Sequence, residues 1–163
     1  MKKLLIVRHS KSSWSDPYLS DFDRPLNKRG NRDRELMAEF LSKRINNIDK
    51  LISSSSKRTR ETSEFFKKKI NIKVENYTEK LYHASYEDIL DLLYQVKDDV
   101  RSLMLIGHNP GLTQLVNFFT NINLYNLPTT GIVVINFIID KWKNIRDSKG
   151  NIELIKFPKE LNL

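Results

Sequence analysis

Residues 4–14 read LLIVRHSKSSW. Four apolar residues, Leu4 to Val7, stop abruptly at Arg8-His9, and small polar residues follow. A short, continuous apolar run of this kind is the pattern of a strand buried on both faces, as in a parallel sheet covered by helices. The two lysines and four apolar residues ahead of Arg8 are too brief for the apolar region of a signal peptide, so the segment reads as strand. The pattern recurs twice. Leu51-Ile52 runs into the serines 53–56 and then KRTRET, and Leu103 to Ile106 runs into Gly107-His108-Asn109-Pro110-Gly111.

Helical periodicity fills the spaces between these runs. Residues 28–45 form an amphipathic pattern with Leu36, Phe40, Leu41 and Ile45 toward one side. Residues 57–69 follow with Ser56 as a candidate N-cap. Tyr86 to Val96 repeats apolar residues at Ile89, Leu92, Leu93 and Val96, and residues 112–119 resume a helix. Ile72 to Tyr77 reads as an outer strand. Gly131 to Ile139 is a long β-branched run, the strongest strand signal in the chain. Glu153 to Phe157 is expected to pair with it across the turn region 147–151, as an antiparallel edge. Strands alternating with helices specify an α/β fold: a three-layer α/β/α sandwich with a mostly parallel central sheet.

The 163 residues carry no internal repeat and no Pro- or Gly-rich linker, so one domain spanning 1–163 is expected. With 39% hydrophobic and 29% charged residues the chain falls in the globular class, not the disordered one. It has no cysteine, which excludes a disulfide framework, thiolate catalysis and a zinc–thiolate site, and fits a cytoplasmic protein. No segment reaches the apolar length of a membrane span. The net charge of +8 fits phosphorylated or acidic ligands, but also a lysine-rich solvated surface, of which Lys67-Lys68-Lys69 is an instance.

In open α/β sheets, ligands bind at the carboxyl ends of the strands. If the three polar run-ends lie side by side, two histidines, His9 and His108, and several arginines converge on one spot. Arginine offers a fixed fork of donors that matches phosphate oxygens. A neutral imidazole can attack phosphorus, and nearby positive charge favours the neutral form. Helix N-termini after each loop add backbone N–H donors. Metal catalysis is the other reading of the histidines. His9, His83 and His108 are not spaced as a helical pair, and no carboxylate cluster joins them, so no metal is expected.

These motifs resemble the histidine phosphatase superfamily, the phosphoglycerate mutase-like fold, whose signature is Arg-His-Gly after the first strand. Here the triplet is Arg8-His9-Ser10, with serine in place of the glycine. VRHSKSSW, DFDRPLNKRG (21–30), SSSSKRTRET, LYHASYEDILDLL and GHNPGLTQL are similar, in order, to segments of the small phosphohistidine phosphatase branch, the SixA type. The resemblance covers roughly residues 4–120. It implies a metal-independent phosphatase without cofactor, with His9 as nucleophile and Arg8, Arg58 and His108 binding and stabilising the phosphoryl group.

For the proton donor, Glu79 is the first candidate and His83 the second. Arg60, two residues beyond Arg58 on the helix, should point elsewhere. Short connections with no roofing insertion fit a phosphohistidine presented on another protein; the alternative is a small-molecule phosphate ester. Neither a nucleic-acid nor a membrane partner is expected, since no RNA or DNA motif accompanies the charge, and a monomer is expected.

Overall fold

In the computed structural model, which describes residues 1–161, strand β1 is Lys2–Arg8. Leu4, Leu5, Ile6 and Val7 are each fully buried, but on opposite faces. Leu4 and Ile6 join one hydrophobic cluster, with Leu90, Leu93, Leu112, Val116 and Phe119. Leu5 and Val7 join the other, with Met37, Leu41 and Phe66. The alternation of side chains along a strand thus divides one apolar run between two cores.

Helices α1 (Lys28–Ser42) and α2 (Lys57–Lys69) cover one face; α3 (Tyr86–Tyr94) and α4 (Gly111–Phe119) cover the other. The sheet contains β2 (Asn47–Ser54), β3 (Asn71–Thr78), β4 (Ser102–Gly107), β5 (Ile132–Phe137) and β6 (Asn151–Lys156), in the order β3-β2-β4-β1-β5-β6. Pairs β1·β4, β2·β4 and β2·β3 are parallel; β1·β5 and β5·β6 are antiparallel. This is the expected α/β/α sandwich. The carboxyl ends of β1, β4 and β2 stand side by side, with Val7 opposite Ile106 and Ile106 opposite Ser53.

Several details depart from the sequence reading. The buried stripe of α1 runs through Asp33, Met37, Ala38 and Leu41, while Leu36 and Phe40 are only half-buried. β2 begins at Asn47, ahead of its apolar part, because the Asp49 carboxylate accepts hydrogen bonds from the N–H groups of Arg101 and Ser102 beside it. β5 ends at Phe137; Ile138 is exposed, and residues 142–147 form a 3-10 turn pinned by the Trp142 indole N–H donating to the Val100 carbonyl. The connection across to β6 is therefore longer than a simple turn.

The largest departure is the segment 9–27 between β1 and α1. Loops of this length in small domains are usually functional. This one is clamped by a bridge between Ser12 and Leu26, by Ser13 N–H donating to the Pro25 carbonyl, and by Asn27 N–H donating to the Lys11 carbonyl. At Gly30, in the first turn of α1, an added Cβ would lie 2.2 Å from the Lys11 carbonyl oxygen. The helix can approach the loop only through a glycine. Gly30→Ala is therefore expected to lower stability by roughly 1–3 kcal/mol in urea unfolding, as overpacking does. It should also displace the loop; an unchanged unfolding midpoint would contradict this account.

Candidate active site

Each strand end delivers one part of the site. Arg8 is the last residue of β1, and its Nη1 donates to the Leu127 carbonyl at 3.0 Å. His9 follows, 8% exposed, with its Nδ1 2.7 Å from the Ser10 carbonyl. A carbonyl can only accept, so Nδ1 carries the proton, and Nε2 is the ring's free lone pair. Ser10 N–H donates to Thr62 Oγ1, and Thr130 Oγ1 donates to Ser10 Oγ. Serine is thus accommodated where the superfamily triplet has glycine. Its hydroxyl is fully buried and paired, and its φ is not positive.

Arg58 lies in the first turn of α2, 3% exposed. Thr62, one turn later, receives Ser10 N–H and donates to the Arg58 carbonyl. That is why an arginine and a threonine four residues apart serve together. His108 follows β4; its ring centroid is 5.2 Å from that of His9. Its Nδ1 lies 3.4 Å from Arg58 Nη2, which can only donate, so Nε2 carries the proton and donates to Ser54 Oγ at 2.8 Å.

The structure brings Arg8, His9, Arg58 and His108 together. It adds Arg24, Asp21 and Tyr82, which sequence reasoning did not assign, and His83, which it named as the second proton-donor candidate. Arg24, 6% exposed, stacks on the Trp14 ring with 3.4 Å from guanidinium carbon to ring centroid, and its Nη2 donates to Asp21 Oδ1 at 2.7 Å. The Asp21 carboxylate also accepts from Arg58 Nη2 at 3.0 Å and from the Tyr82 hydroxyl. Arg58 Nη1 donates to the Asp21 carbonyl at 2.6 Å. His83, with φ 55°, places Nε2 3.4 Å from Asp21 Oδ2. The DFDRP stretch was a signal in the sequence, but nothing in its spacing said which residues would turn inward. Glu79 is exposed on the 3-10 turn Glu79–Leu81 and does not line the pocket. Arg60 is exposed, its Nε on the Ser55 carbonyl and its guanidinium over Tyr77.

The cluster lines a cavity of about 250 Å³ bounded by Arg8, His9, Arg24, Arg58, His83 and His108, among others. The buried Nε atoms of Arg8, Arg24 and Arg58, and Nη1 of Arg24, have no protein partner. Buried donors are rarely left unpaired, so such a group calls for an acceptor. A larger groove of about 490 Å³ lies elsewhere, between β2, β3 and α3, and none of these arginines or histidines lines it.

Electrostatics follow from this packing. Burial, with the charges of Arg58, Arg8 and Arg24, pushes His9 down to about 3 against the hydrogen bond to Ser10. Burial lowers His108 as well, reinforced by His9 and Arg58. Both imidazoles are therefore neutral near pH 7. Desolvation raises the Asp21 carboxyl, but hydrogen bonds from Tyr82 and Arg24 and the charge of Arg58 outweigh it, holding the group well below the usual carboxylate range.

Residues 4–97 match the histidine phosphatase superfamily (branch 1). The chain belongs to that superfamily. An uncharacterized protein of Mycobacterium leprae is 25% identical over 94% of this chain and 100% of its own length. A candidate phosphohistidine phosphatase SixA from Agrobacterium tumefaciens is 26% identical and superimposes with a TM-score of 0.80, covering 96% of this chain and 98% of that one. The protein histidine phosphatase SixA in complex with tungstate, 21% identical, has a TM-score of 0.81 over 98% and 99% of the two chains. A mycobacterial glucosyl-3-phosphoglycerate phosphatase, 13% identical, has a TM-score of 0.67 over 94% and 98%. This member of the histidine phosphatase superfamily is thus similar in structure to SixA-type phosphatases and has the phosphoglycerate mutase-like fold. Among its described residues, no helix is long and apolar enough to cross a membrane.

The site sets the acid stability of this histidine phosphatase. His9 and His108 titrate lower in the native state than the ordinary histidine value of 6.5. Between that value and about 3, the unfolded chain binds protons that native His9 excludes. Stability therefore rises with pH across this window and is lost on acidification. The expected slope is at most about 1.4 kcal/mol per pH unit for each histidine. Urea unfolding at pH 7 and pH 5 should show the loss, and His9→Gln should reduce it; equal slopes in the two proteins would contradict the burial account.

Proposed function

We propose that the protein hydrolyses phosphohistidine on another protein through a covalent phosphohistidine at its own His9. The observation that carries this reading is the neutral His9 imidazole, its Nδ1 proton committed to the Ser10 carbonyl, at a cavity walled by Arg8, Arg24 and Arg58. In the proposed first half-reaction, Nε2 attacks phosphorus and the bond to the leaving group breaks. In the second, water displaces the phosphoryl group from Nε2 and phosphate leaves. The guanidinium groups of Arg8, Arg24 and Arg58, which line the cavity, hold the phosphoryl oxygens in both halves, and the N-terminus of α2 adds favourable dipole. His108 accepts from Arg58 Nη2 at Nδ1 and so holds that arginine against the pocket.

The phosphoprotein class is supported by three features. The cavity is small and polar. Its mouth is edged by Trp14, 73% exposed, with Tyr18 and Leu19 further along the same loop also exposed, a surface suited to a protein rather than a free metabolite. Of the similar structures, one carries the name of a candidate phosphohistidine phosphatase and another that of a protein histidine phosphatase. The second reading, a small phosphate ester as substrate, is favoured by the similarity to glucosyl-3-phosphoglycerate phosphatase.

Phosphate release from a phosphohistidine-bearing protein, in the presence of a chelator, tests the reading. His9→Ala should abolish release with the unfolding midpoint little changed. Arg24→Ala should reduce kcat/KM by roughly 10²-fold, the scale on which removing one oxyanion donor acts. No release by the native protein, alongside turnover of small esters, would transfer the conclusion to the second reading.

A further inference from the structure

The mouth of the pocket carries a histidine that the phosphoryl-binding cluster does not use, His83, beside Asp21. His83 is held with φ 55°, a backbone region that a histidine adopts at a cost. The turn is locked from both sides. Tyr82 N–H donates to the Glu79 carbonyl, and the Ala84 carbonyl lies against Gly111 at the start of α4, where an added Cβ would come within 2.2 Å of it. This backbone sets the imidazole on the cavity wall, 59% exposed, its centroid 5.7 Å from that of His108 and 4.0 Å from that of Tyr82. On its inner side, Nε2 faces Asp21 Oδ2 at 3.4 Å. His9 lies deep in the pocket while His83 stands at its exposed edge, so a leaving group departing from phosphorus away from His9 exits past His83.

We propose that His83, oriented by Asp21, is the group that gives a proton to the leaving atom and later takes one from the attacking water. The inference rests on the covalent His9 reading above. In the first half-reaction, the P–Nε2 bond to His9 forms, the bond from phosphorus to the leaving oxygen or nitrogen breaks, and the proton of the His83 imidazolium passes to that atom. In the second, the water oxygen bonds to phosphorus, the P–Nε2 bond breaks, and the water proton passes to neutral His83. The cycle returns both histidines to their starting forms.

The neighbouring groups are unsuited to this work. The Asp21 carboxyl is held ionised and has no proton to give. The Tyr82 hydroxyl is committed to Asp21, and its own ionisation is raised by burial and by that carboxylate. His108 is neutral with Nε2–H on Ser54, and the guanidinium groups of Arg8, Arg24 and Arg58 do not release protons. Glu79 does not line the cavity. Lys11 does, and enters the test as a control.

The experiment compares native protein, His83→Gln, His83→Ala and Lys11→Met on a series of aryl phosphates whose phenols span a wide range of acidity. His83→Gln should lose roughly 10²-fold in kcat/KM on the most basic phenol and only a few-fold on nitrophenol, the scale of general acid catalysis. Added imidazole should restore part of the His83→Ala activity. Lys11→Met should lose by a uniform factor across the series. A uniform loss in His83→Gln, a leaving-group-dependent loss in Lys11→Met, or no aryl phosphate turnover by a native protein that hydrolyses phosphohistidine would each overturn the proposal. Failure on protein phosphohistidine with the aryl pattern intact would remove the substrate reading and leave His83 in place.

Discussion

Three guanidinium groups, Arg8, Arg24 and Arg58, are packed around one small cavity, largely out of water, and the rest of the structure has to hold them there. Like charges in a poorly solvated space repel strongly. Two features oppose the repulsion. The sheet fixes Arg8 by its strand, with β1 hydrogen-bonded on both sides to β4 and β5 and buried in both cores. The carboxylate of Asp21 bridges Arg24 and Arg58. Its own ionisation is driven below the ordinary range by the groups it holds. The same field keeps His9 neutral. Its neutral state thus follows first from burial and then from the guanidinium charges gathered around it.

The part of this arrangement legible in the sequence is the part that rides on periodic elements. Arg8-His9, Arg58 and Gly107-His108 each follow an apolar run, and such runs are read reliably as strands. Once the runs are strands of one parallel sheet, their ends meet, and β1, β4 and β2 are indeed neighbours. Arg24 and Asp21 come from the segment 9–27, where hydrogen bonds local to the loop decide which side chain turns inward. No periodicity records those bonds. His83 was named as a candidate, but its orientation depends on a positive φ and on contact with α4, which involves residues distant in sequence. The buried stripe of α1 is displaced for a local reason. Asp33, a charged residue that a hydrophobic pattern passes over, is buried by ion pairs with Arg29 and Arg32.

The open rim bears on what such a pocket admits. Trp14 is both a structural partner of Arg24, lying under its guanidinium, and an exposed surface. Stacking on an aromatic face orients an arginine without consuming its in-plane donors. Arg24 therefore keeps Nε and Nη1 unpaired while remaining ordered. A hydrogen-bonded partner in that place would have taken some of those donors from a ligand.

The balance of charge gives a last constraint on the ligand. His9 and His108 are neutral, so the buried cavity wall carries three guanidinium charges and, bridging two of them, the negative charge of Asp21; Lys11 lines the same cavity, and the proposed His83 imidazolium adds to the positive side. The wall is net positive and favours an anionic ligand such as a phosphoryl group. Without Asp21, repulsion between the arginines would be deeper and the leaving group would meet only positive surface. With it, a carboxylate stands beside His83, where a departing imidazole, protonated as it leaves, would meet a favourable field. The same charge thus acts in two places, in holding the arginines and in favouring a cationic leaving group.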